Sequence, residues 1–226
     1  CVDMVFCCDP EQPYAEICGT VLAPQAVLLH SDTCYFGVRF LPGYNPVLGS
    51  SEIMSQLVNH QIPLDELIQD RRMLEGICGT TDFRKQIRAF MRSYMNIYRR
   101  ACPMEHSNLL VLHSFNLLIR SAGSISIEQL AEDTGYTARY IDRCFRNETG
   151  LSPKQLAKIV RFQAAVSALN QNQHKGRSLT EIAADLGYFD QSHFVHDFKA
   201  YTGLTPKKYQ KLLLHDSFEE KLRIVQ

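Results

Sequence analysis

The segment Ala183-Ala-Asp-Leu-Gly-Tyr-Phe-Asp-Gln-Ser-His-Phe194 decides the fold, because part of it occurs a second time earlier in the chain. Its alanine, glycine and tyrosine have counterparts 52 residues earlier, at Ala131, Gly135 and Tyr136. Farther along, the copies match at an offset of 53 residues, and the pairs are Phe145 with Phe198, Gly150 with Gly203, Ser152 with Thr205, and Pro153 with Pro206. The difference of one residue falls after the glycine–tyrosine pair, where a turn can accommodate it. Such a duplication predicts two copies of one structural unit.

Each copy is predicted to be two helices joined by a glycine turn. Ser126 and Ser178 each stand three residues before a Gln or Glu, a pattern typical of the capping box at a helix start. Gly135 and Gly187 are expected to end these helices, because glycine accepts a left-handed backbone. The second helices are predicted from Thr137 or Ala138 to about Glu148, and from Asp190 or Gln191 to about Tyr201. This is the pattern of a helix-turn-helix, whose second helix enters the DNA major groove.

A linker helix from Pro153 to about Asn170 is predicted between the two copies, because proline after Ser152 is a normal start signal. This helix would set the distance between the two recognition helices, which must be about 34 Å for both to read one face of a duplex. Six aromatic residues of the copies are expected to be core residues rather than base-stacking groups: Tyr136, Phe145, Tyr188, Phe194, Phe198 and Tyr209.

Charge supports this interpretation only locally. The chain has 24 basic and 24 acidic residues, a balance that does not by itself indicate a nucleic-acid partner. Between Thr137 and Arg161, however, six basic residues stand against two acidic ones, a net of 6 − 2 = +4. That stretch is either a phosphate-facing stripe or an ordinary solvated helix face.

The second half, about Glu105 to Lys211, resembles the C-terminal domain of the AraC/XylS family of transcription regulators. The segment from Ala183 to Phe194 is similar to the family signature, together with Phe198-Lys199 and the run Gly203-Leu-Thr-Pro-Lys-Lys-Tyr209. The resemblance implies seven helices, two of which face DNA. It therefore implies double-stranded DNA as the partner and transcription regulation as the function.

By position, the resemblance implies two sets of DNA-facing side chains. The first recognition helix would present Arg139, Asp142 and Arg143 to bases, with Thr137 and Arg146 near phosphates. The second would present Gln191, Ser192, His193 and His196, with Lys199 near the backbone. Arg161, on the linker helix, is added as a further basic residue. Arginine can pair with guanine and glutamine with adenine, each good contact giving about 1–3 kcal/mol of discrimination.

Two of these positions depart from the expected pattern. The family often has arginine where this chain has His196, so the second unit is expected to grip DNA weakly or with a pH dependence. Asp142 would repel phosphate, and it could accept a hydrogen bond from a base amino group such as that of cytosine. Alternatively, it could pair within its helix with Arg139 or Arg146. The first unit is therefore expected to make more of the sequence-specific contacts.

The first half has a different pattern of apolar and turn-forming residues from the second half. Short apolar runs bounded by turn residues predict strands at Val2–Cys8, Ile17–Leu22, Ala26–Leu29 and Tyr35–Leu41. Helices are predicted at Ser51–Asn59, Pro63–Gln69, Asp70–Cys78 and Thr81–Arg100. We therefore expect an α+β protein, with a small antiparallel sheet or partial barrel plus helices in residues 1–103. An all-α domain in residues 104–226 would carry two helix-turn-helix units, about 126–149 and 178–202, joined by the linker helix.

Two features of the first half leave alternatives open. The last predicted helix has one broad apolar stripe, which is either core packing or a dimer seam: Phe83, Ile87, Phe90, Met91, Tyr94, Ile97 and Tyr98. The run Gly37-Val-Arg-Phe-Leu-Pro-Gly43 resembles a strand motif in the N-terminal domains of some AraC-type regulators, which sense effectors or dimerise. Arg39 in this run could hold an anionic ligand, or it could pair with a carboxylate such as Glu52 or Asp65.

The remaining expectations concern the chain as a whole. Cys1 opens an apolar run without a methionine, which predicts a strand entered partway and a natural protein that begins earlier. No apolar run approaches the roughly 20 residues that cross a bilayer, and the eight cysteines lack a metal-ligand rhythm. We expect a cytoplasmic regulator with no cofactor, no metal and no enzymatic activity. We expect an activator, because activation is the commoner behaviour in the family that the chain resembles. RNA polymerase, a small-molecule effector and a second copy are further candidate partners. The alternative is a repair-type enzyme or an interaction module that carries the same domain.

Overall fold

The computed structural model describes residues 1–25, 27, 29–30, 32–42, 51–68, 70–101, 106–172 and 176–214. Within these residues the strands are β1 (Val2–Cys8), β2 (Tyr14–Cys18), β3 (Cys34–Phe40) and β4 (Gln61–Pro63). The helices are α1 (Ser51–Gln56), α2 (Leu64–Leu67), α3 (Arg71–Cys78), α4 (Phe83–Ala101), α5 (His106–Arg120), α6 (Ile127–Thr134), α7 (Ala138–Thr149), α8 (Pro153–Gln171), α9 (Leu179–Asp185), α10 (Gln191–Thr202) and α11 (Pro206–Leu214).

These elements belong to two compact units. The first contains the described parts of Cys1–Val21, Asp32–His113 and Arg139–Ser152, and the second those of Leu22–Ser31, Ser114–Ala138 and Pro153–Gln226. The first unit therefore holds the sheet, α1 to α4 and nearly all of α7. The second holds α6 and α8 to α11. The division into domains at residues 103 and 104 stays a prediction.

The first unit is built on a four-stranded antiparallel sheet with strand order β3-β1-β2-β4. Successive side chains of a strand point to opposite faces, so Val2, Met4 and Phe6 of β1 all face the core and are buried. Helix α3 packs on β1 and on α4, and Phe90 of α4 contacts the Phe6 ring at a centroid distance of 6.3 Å. The predicted α+β class with a small antiparallel sheet is confirmed.

Strand boundaries differ from the prediction around β2. This strand begins three residues before the predicted Ile17–Leu22 and ends at Cys18. Beyond it, the Gly19 N–H donates to the His60 carbonyl, and the Asn59 N–H donates to the Thr20 carbonyl, both at 3.0 Å. These contacts lead into β4, which the sequence analysis missed because it is only three residues long and ends in proline. Of the predicted strand Ala26–Leu29, Ala26 and Leu28 lie outside the described residues.

The predicted helices of the first half exist, and the two short ones are shorter than expected. Helix α1 ends at Gln56 rather than Asn59, and α2 is a single turn of four residues. Helix α3 starts directly after Asp70, whose side chain accepts a hydrogen bond from the Arg72 backbone. Gln69, the predicted end of the α2 segment, lies outside the described residues.

The apolar stripe of α4 divides between core and surface. Phe90 is 5% exposed, and Tyr94 and Ile97 pack against the same core. Phe83, Ile87 and Met91 are 64%, 41% and 49% exposed. Core packing is thus confirmed for the inner part of the stripe, and a dimer seam stays a prediction for the outer part.

The regular elements described in the second unit are helices, and its core gathers side chains from α8, α9 and α10. The linker helix α8 packs against α9, α10 and α11. Its buried residues Ala165 and Leu169 meet a group in the second repeat: Ile182, Ala183, Leu186, Tyr188, Phe194 and Phe198. No helix of the described residues is both long and apolar enough to cross a membrane.

Candidate nucleic-acid interface

Helix α7, the predicted first recognition helix, separates a buried face from a basic one. Ile141, Cys144 and Phe145 are buried at 0–4% exposure. Arg139, Arg143 and Arg146 are exposed. Their spacing of four and three residues brings them onto one side of a helix. The structure therefore brings together three of the predicted DNA-facing cations.

Two contacts within α7 shape that basic face. The Arg146 Nε atom donates to Asp142 Oδ2 at 2.7 Å, one helical turn away. This contact bears out the intrahelical alternative for Asp142, and a contact of Asp142 with a base stays a prediction. The Arg143 guanidinium lies 5.0 Å from the Tyr140 ring centroid, an arrangement that holds the cation along the helix.

The C-terminal end of α7 is anchored within the first unit. Glu148 accepts hydrogen bonds from Ser107 Oγ at 2.9 Å and from Asn108 Nδ2 at 2.5 Å. Gly150 has a φ of +71°, and a Cβ built there would lie 2.3 Å from the Met54 carbonyl oxygen. Only glycine fits this position, because both its backbone conformation and the approach of the α1 end exclude a side chain. The chain that follows the recognition helix thus lies directly on α1.

Helix α6 begins and ends as the sequence predicts. Ser126 forms the full capping box with Gln129, and Gly135 closes the helix in the left-handed conformation with a φ of +72°. The same signals operate in the second copy, where Ser178 and Glu181 form the box that begins α9. There Leu186 is the cap residue, and Gly187, directly after it, has the predicted left-handed backbone with a φ of +71°.

Helix α10, the predicted second recognition helix, repeats the exposed geometry of α7 with different chemistry. Ser192, His196 and Lys199 are exposed and stand at the same spacing of four and three residues. They correspond to Arg139, Arg143 and Arg146 at an offset of 53 residues. The structure thus gives the two helices equivalent outer faces, one with three arginines and one with a serine, a histidine and a lysine.

The first turn of α10 is fixed by two hydrogen bonds. Asp190 caps the helix, and its side chain accepts from the His193 backbone at 2.7 Å. The Thr180 hydroxyl on α9 donates to the Gln191 side-chain oxygen at 2.8 Å. Gln191 is exposed, and this contact uses the acceptor half of its side chain, whose other half is the donor NH₂ group.

Asp197 is a functional candidate that the sequence analysis missed. It is 8% exposed, on the inner side of α10. Its carboxylate lies 3.5 Å from His193 Nε2, 3.8 Å from His196 Nδ1 and 3.9 Å from Lys158 Nζ. His193 is therefore held toward this carboxylate and against the Tyr188 ring, at a centroid distance of 5.3 Å. Of the two predicted histidines, His196 is the one that extends into solvent, with 84% of its side chain exposed.

Arg161, on the linker helix, makes structural contacts within the second unit. One terminal nitrogen donates to the Gly123 carbonyl at 2.7 Å. The guanidinium also lies 5.3 Å from the centroid of the Tyr188 ring. Its Nε atom is buried without a hydrogen-bond partner among the described residues. A contact of Arg161 with DNA stays a prediction.

Tyr188 is fixed as a neutral core residue. Burial, together with the nearby Asp197 charge, raises the pKa of its phenol to about 12. Of the six predicted core aromatics, Phe145, Tyr188, Phe194 and Phe198 are at most 6% exposed. Tyr209 is half-buried against Phe198. Tyr136 is 45% exposed, so its assignment to the core was wrong.

The C-terminal ends of both recognition helices have the same hydrogen-bond pattern. The comparison of the two repeat copies did not predict it. The Thr149 hydroxyl donates to the Phe145 carbonyl at 2.7 Å and accepts from the Leu151 backbone at 3.1 Å. The Thr202 hydroxyl makes the same two bonds to Phe198 and Leu204, at 2.9 and 3.0 Å. The shared Thr-Gly-Leu sequence was the available signal.

Arg39 pairs with the carboxylate of Asp3, a partner that the sequence did not indicate. Its Nε and one terminal nitrogen donate to the two oxygens of Asp3 at 2.8 and 2.7 Å. The two residues are direct neighbours in the β1–β3 register. This bidentate pair is the structural alternative, and the hydrogen bond to Asp3 raises the pKa of Arg39. The side chain of Glu52 and the residue Gly43 lie outside the described part of the chain.

Several known proteins and one family model are similar to this chain. A family model described as a helix-turn-helix domain matches residues 103–212. An HTH-type transcriptional regulator of Haemophilus influenzae is 38% identical over 85 residues, which are 38% of this chain and 28% of that protein. The HTH-type transcriptional activator AarP of Providencia stuartii is 29% identical over 104 residues, 46% of this chain and 72% of that protein.

Two further proteins are similar to part of this chain. The XylDLEGF operon transcriptional activator of Pseudomonas putida is 29% identical over 83 residues, 37% of this chain and 26% of that protein. The C-terminal domain of AraT, a response regulator from Geobacillus stearothermophilus, aligns with a TM-score of 0.41 and 22% identity, over 47% of this chain and 88% of that chain. The chain thus spans little more than a quarter of the Haemophilus and Pseudomonas proteins.

Residues 103–212 are therefore a helix-turn-helix domain. This match and the named regulators bear out the resemblance to the AraC/XylS family of transcription regulators. The matched range lies within two residues of the range expected from the sequence. The relatives named above are regulators, and none of them is named as an enzyme.

Proposed function

We propose that this protein is a sequence-specific DNA-binding transcription regulator with two-part readout of the major groove. The observation that carries the proposal is the equivalence of α7 and α10. Each helix buries a phenylalanine at the corresponding position, Phe145 or Phe198, and exposes three residues at the same spacing on the other side. Two recognition helices of one design fit two half-sites about one turn of DNA apart.

The proposed DNA-facing residues follow from exposure. On α7 they are Arg139, Arg143 and Arg146, with Asp142 as the partner of Arg146. On α10 they are Gln191, Ser192, His196 and Lys199. Thr137, directly before α7, stays in the set as a phosphate contact, whereas His193 contributes mainly by holding Asp197. Phosphate contacts would fix the register on the duplex, and the base contacts would supply the sequence preference.

The role as an activator is proposed from the relatives, two of which are named as transcriptional activators. An activator would bring DNA and RNA polymerase together. Control by a small-molecule effector or by pairing of two copies is proposed for the first half.

The test is enrichment of a binding site from a randomised duplex pool with the full chain, followed by titration of that site at several salt concentrations. We expect a two-part motif whose centres lie about one helical turn apart. Arg143→Ala should weaken binding to this site, whereas Arg72→Ala, at an exposed arginine on α3, should not.

Two outcomes would count against the proposal. Binding without an enriched motif would leave only electrostatic attachment. A single, undivided motif would contradict two-part readout.

A further inference from the structure

Phe189 is the most exposed large apolar side chain among the described residues, at 92%. It stands directly before Asp190, the residue that caps the recognition helix α10. Its chain neighbour Tyr188 is only 6% exposed. A phenylalanine in this position therefore contributes almost nothing to the core of the second unit.

The usual structural role for an apolar residue at this position does not apply. A residue directly before a helix cap often packs against the fourth residue of the helix, here Phe194. Phe194 is fully buried, and its ring neighbours are Tyr188 and Phe198, at centroid distances of 5.2 and 6.0 Å. The contacts of Phe194 are thus supplied from inside the unit, while Phe189 stays in solvent.

The internal repeat singles out the same residue. In the first copy Thr137 alone separates Tyr136 from the start of α7. In the second copy Phe189 and Asp190 separate Tyr188 from the start of α10. The second turn is thus one residue longer, and this lengthening accommodates an exposed phenylalanine beside the recognition helix.

We propose that Phe189 contacts the 5-methyl group of a thymine in the half-site read by α10. The inference rests on the proposed function. The residues at the start of a recognition helix are the ones that reach base edges. In the major groove thymine alone offers a methyl group, and an apolar side chain such as phenylalanine is a suitable contact for it. Gln191 and Ser192, which follow in the first turn, would supply the polar contacts to neighbouring bases.

The experiment uses the full chain and the duplex enriched from the random pool. Each thymine of the α10 half-site is replaced, one at a time, by deoxyuridine, which lacks only the methyl group. At one position the replacement should weaken binding by about fourfold, the factor for burial of one methyl-sized group. Phe189→Ala should weaken binding to the unmodified site by at least that factor. The variant should also be insensitive to deoxyuridine at that position.

Matched controls separate this contact from other effects. Deoxyuridine in the α7 half-site should change the binding of the wild type and of Phe189→Ala equally. Ile119→Ala, at a half-exposed apolar residue on α5, should leave binding unchanged. Because Phe189 is so exposed, Phe189→Ala should keep the urea unfolding midpoint of the wild type, so that a loss of binding cannot come from unfolding.

The outcomes distinguish the contact from the proposed function. Absence of any enriched motif would contradict the regulator itself. An enriched motif without thymine in the α10 half-site would overturn the assignment of Phe189 alone. The assignment would also be overturned if Phe189→Ala and deoxyuridine weakened binding independently, so that their effects added. The ring would then contact sugar or another base. Unchanged binding by Phe189→Ala would also overturn the assignment.

Discussion

Helices α7 and α10 are two versions of one recognition helix, and they differ most where they would meet DNA. The outer face of α7 carries three arginines, one of them paired with Asp142. The corresponding face of α10 carries one lysine, one histidine and one serine, next to an exposed phenylalanine. The duplication has therefore kept the scaffold and changed the chemistry, from charge toward hydrogen bonding and apolar contact.

The inner faces differ at one corresponding position. Cys144 is buried and uncharged in α7, whereas α10 has Asp197 there, with two histidines and Lys158 around it. A buried carboxylate is tolerated only with such partners. The second copy thus ties its recognition helix to the linker helix through charge, as the first copy ties its own to α5 through Glu148.

The largest effect is expected from removal of the shared aromatic core. Phe145→Ala and Phe198→Ala each delete a fully buried ring at the same point of the repeat. Each should reduce the free energy of unfolding by about 3–5 kcal/mol, because a cavity remains. Urea unfolding followed by circular dichroism measures this loss. Phe189→Ala, the same change in an exposed ring, should cost less than about 0.5 kcal/mol; a loss below 1 kcal/mol for either buried ring would contradict the core assignment.

The next effect compares the central residues of the two outer faces. Arg143→Ala should weaken binding to the enriched site by about 1–3 kcal/mol, the range for a good base contact. His196→Ala, the change at the corresponding position, should weaken binding less, because a histidine contributes less charge and lacks the bidentate geometry of arginine. Titration of both variants against one duplex measures the difference. Equal losses would mean that the two helices contribute alike.

A smaller effect should follow from making α10 more like α7. His196→Arg adds a cation at the position that corresponds to Arg143. If the new side chain reaches a phosphate, the slope of log K against log salt should become steeper by about 0.9. His196→Gln, which adds no charge, is the matched control and should leave the slope unchanged. A slope that does not respond to His196→Arg would place this residue away from the DNA backbone.

The smallest effect concerns the two capping boxes, which are equivalent except that Gln129 occupies one and Glu181 the other. Hydrogen bonds from the Ser178 backbone and hydroxyl lower the pKa of Glu181. A lowered pKa contributes stability that is present above the ordinary carboxyl pKa and is lost as the pH falls through the lowered value. The unfolding midpoint should therefore fall less between pH 7 and 3 in Glu181→Gln than in the wild type.

Glu128 provides the comparison for this measurement. Its pKa is also lowered, chiefly by its own backbone N–H and then by Ser126. The acid sensitivity of the Glu181→Gln variant should thus be reduced rather than abolished. Identical pH profiles for the wild type and Glu181→Gln would show that the second box does not depend on the charge.

The predictable parts of this molecule are those with local signals. The capping boxes, the left-handed Gly135 and the buried rings of Phe145 and Phe198 all follow from short sequence patterns. Asp197 was missed although His193 is one helical turn away, because its burial and its contact with Lys158, 39 residues earlier, depend on how α8 and α10 pack. The hydrogen bond from Arg161 to the Gly123 carbonyl was not predicted for the same reason, since it depends on how α8 packs. The partner of Arg39 was missed because strand register is a tertiary property.

The contact of Gly150 with the end of α1 limits how freely this domain can be transplanted. The chain that leaves the first recognition helix fits against a main-chain carbonyl of residue 54 with no room for a side chain. A chimaera that joins residues 104–226 to an unrelated N-terminal half would lose this surface. The first recognition helix would then lack its contact with α1. The second recognition helix lies wholly within the second unit and would keep its contacts there.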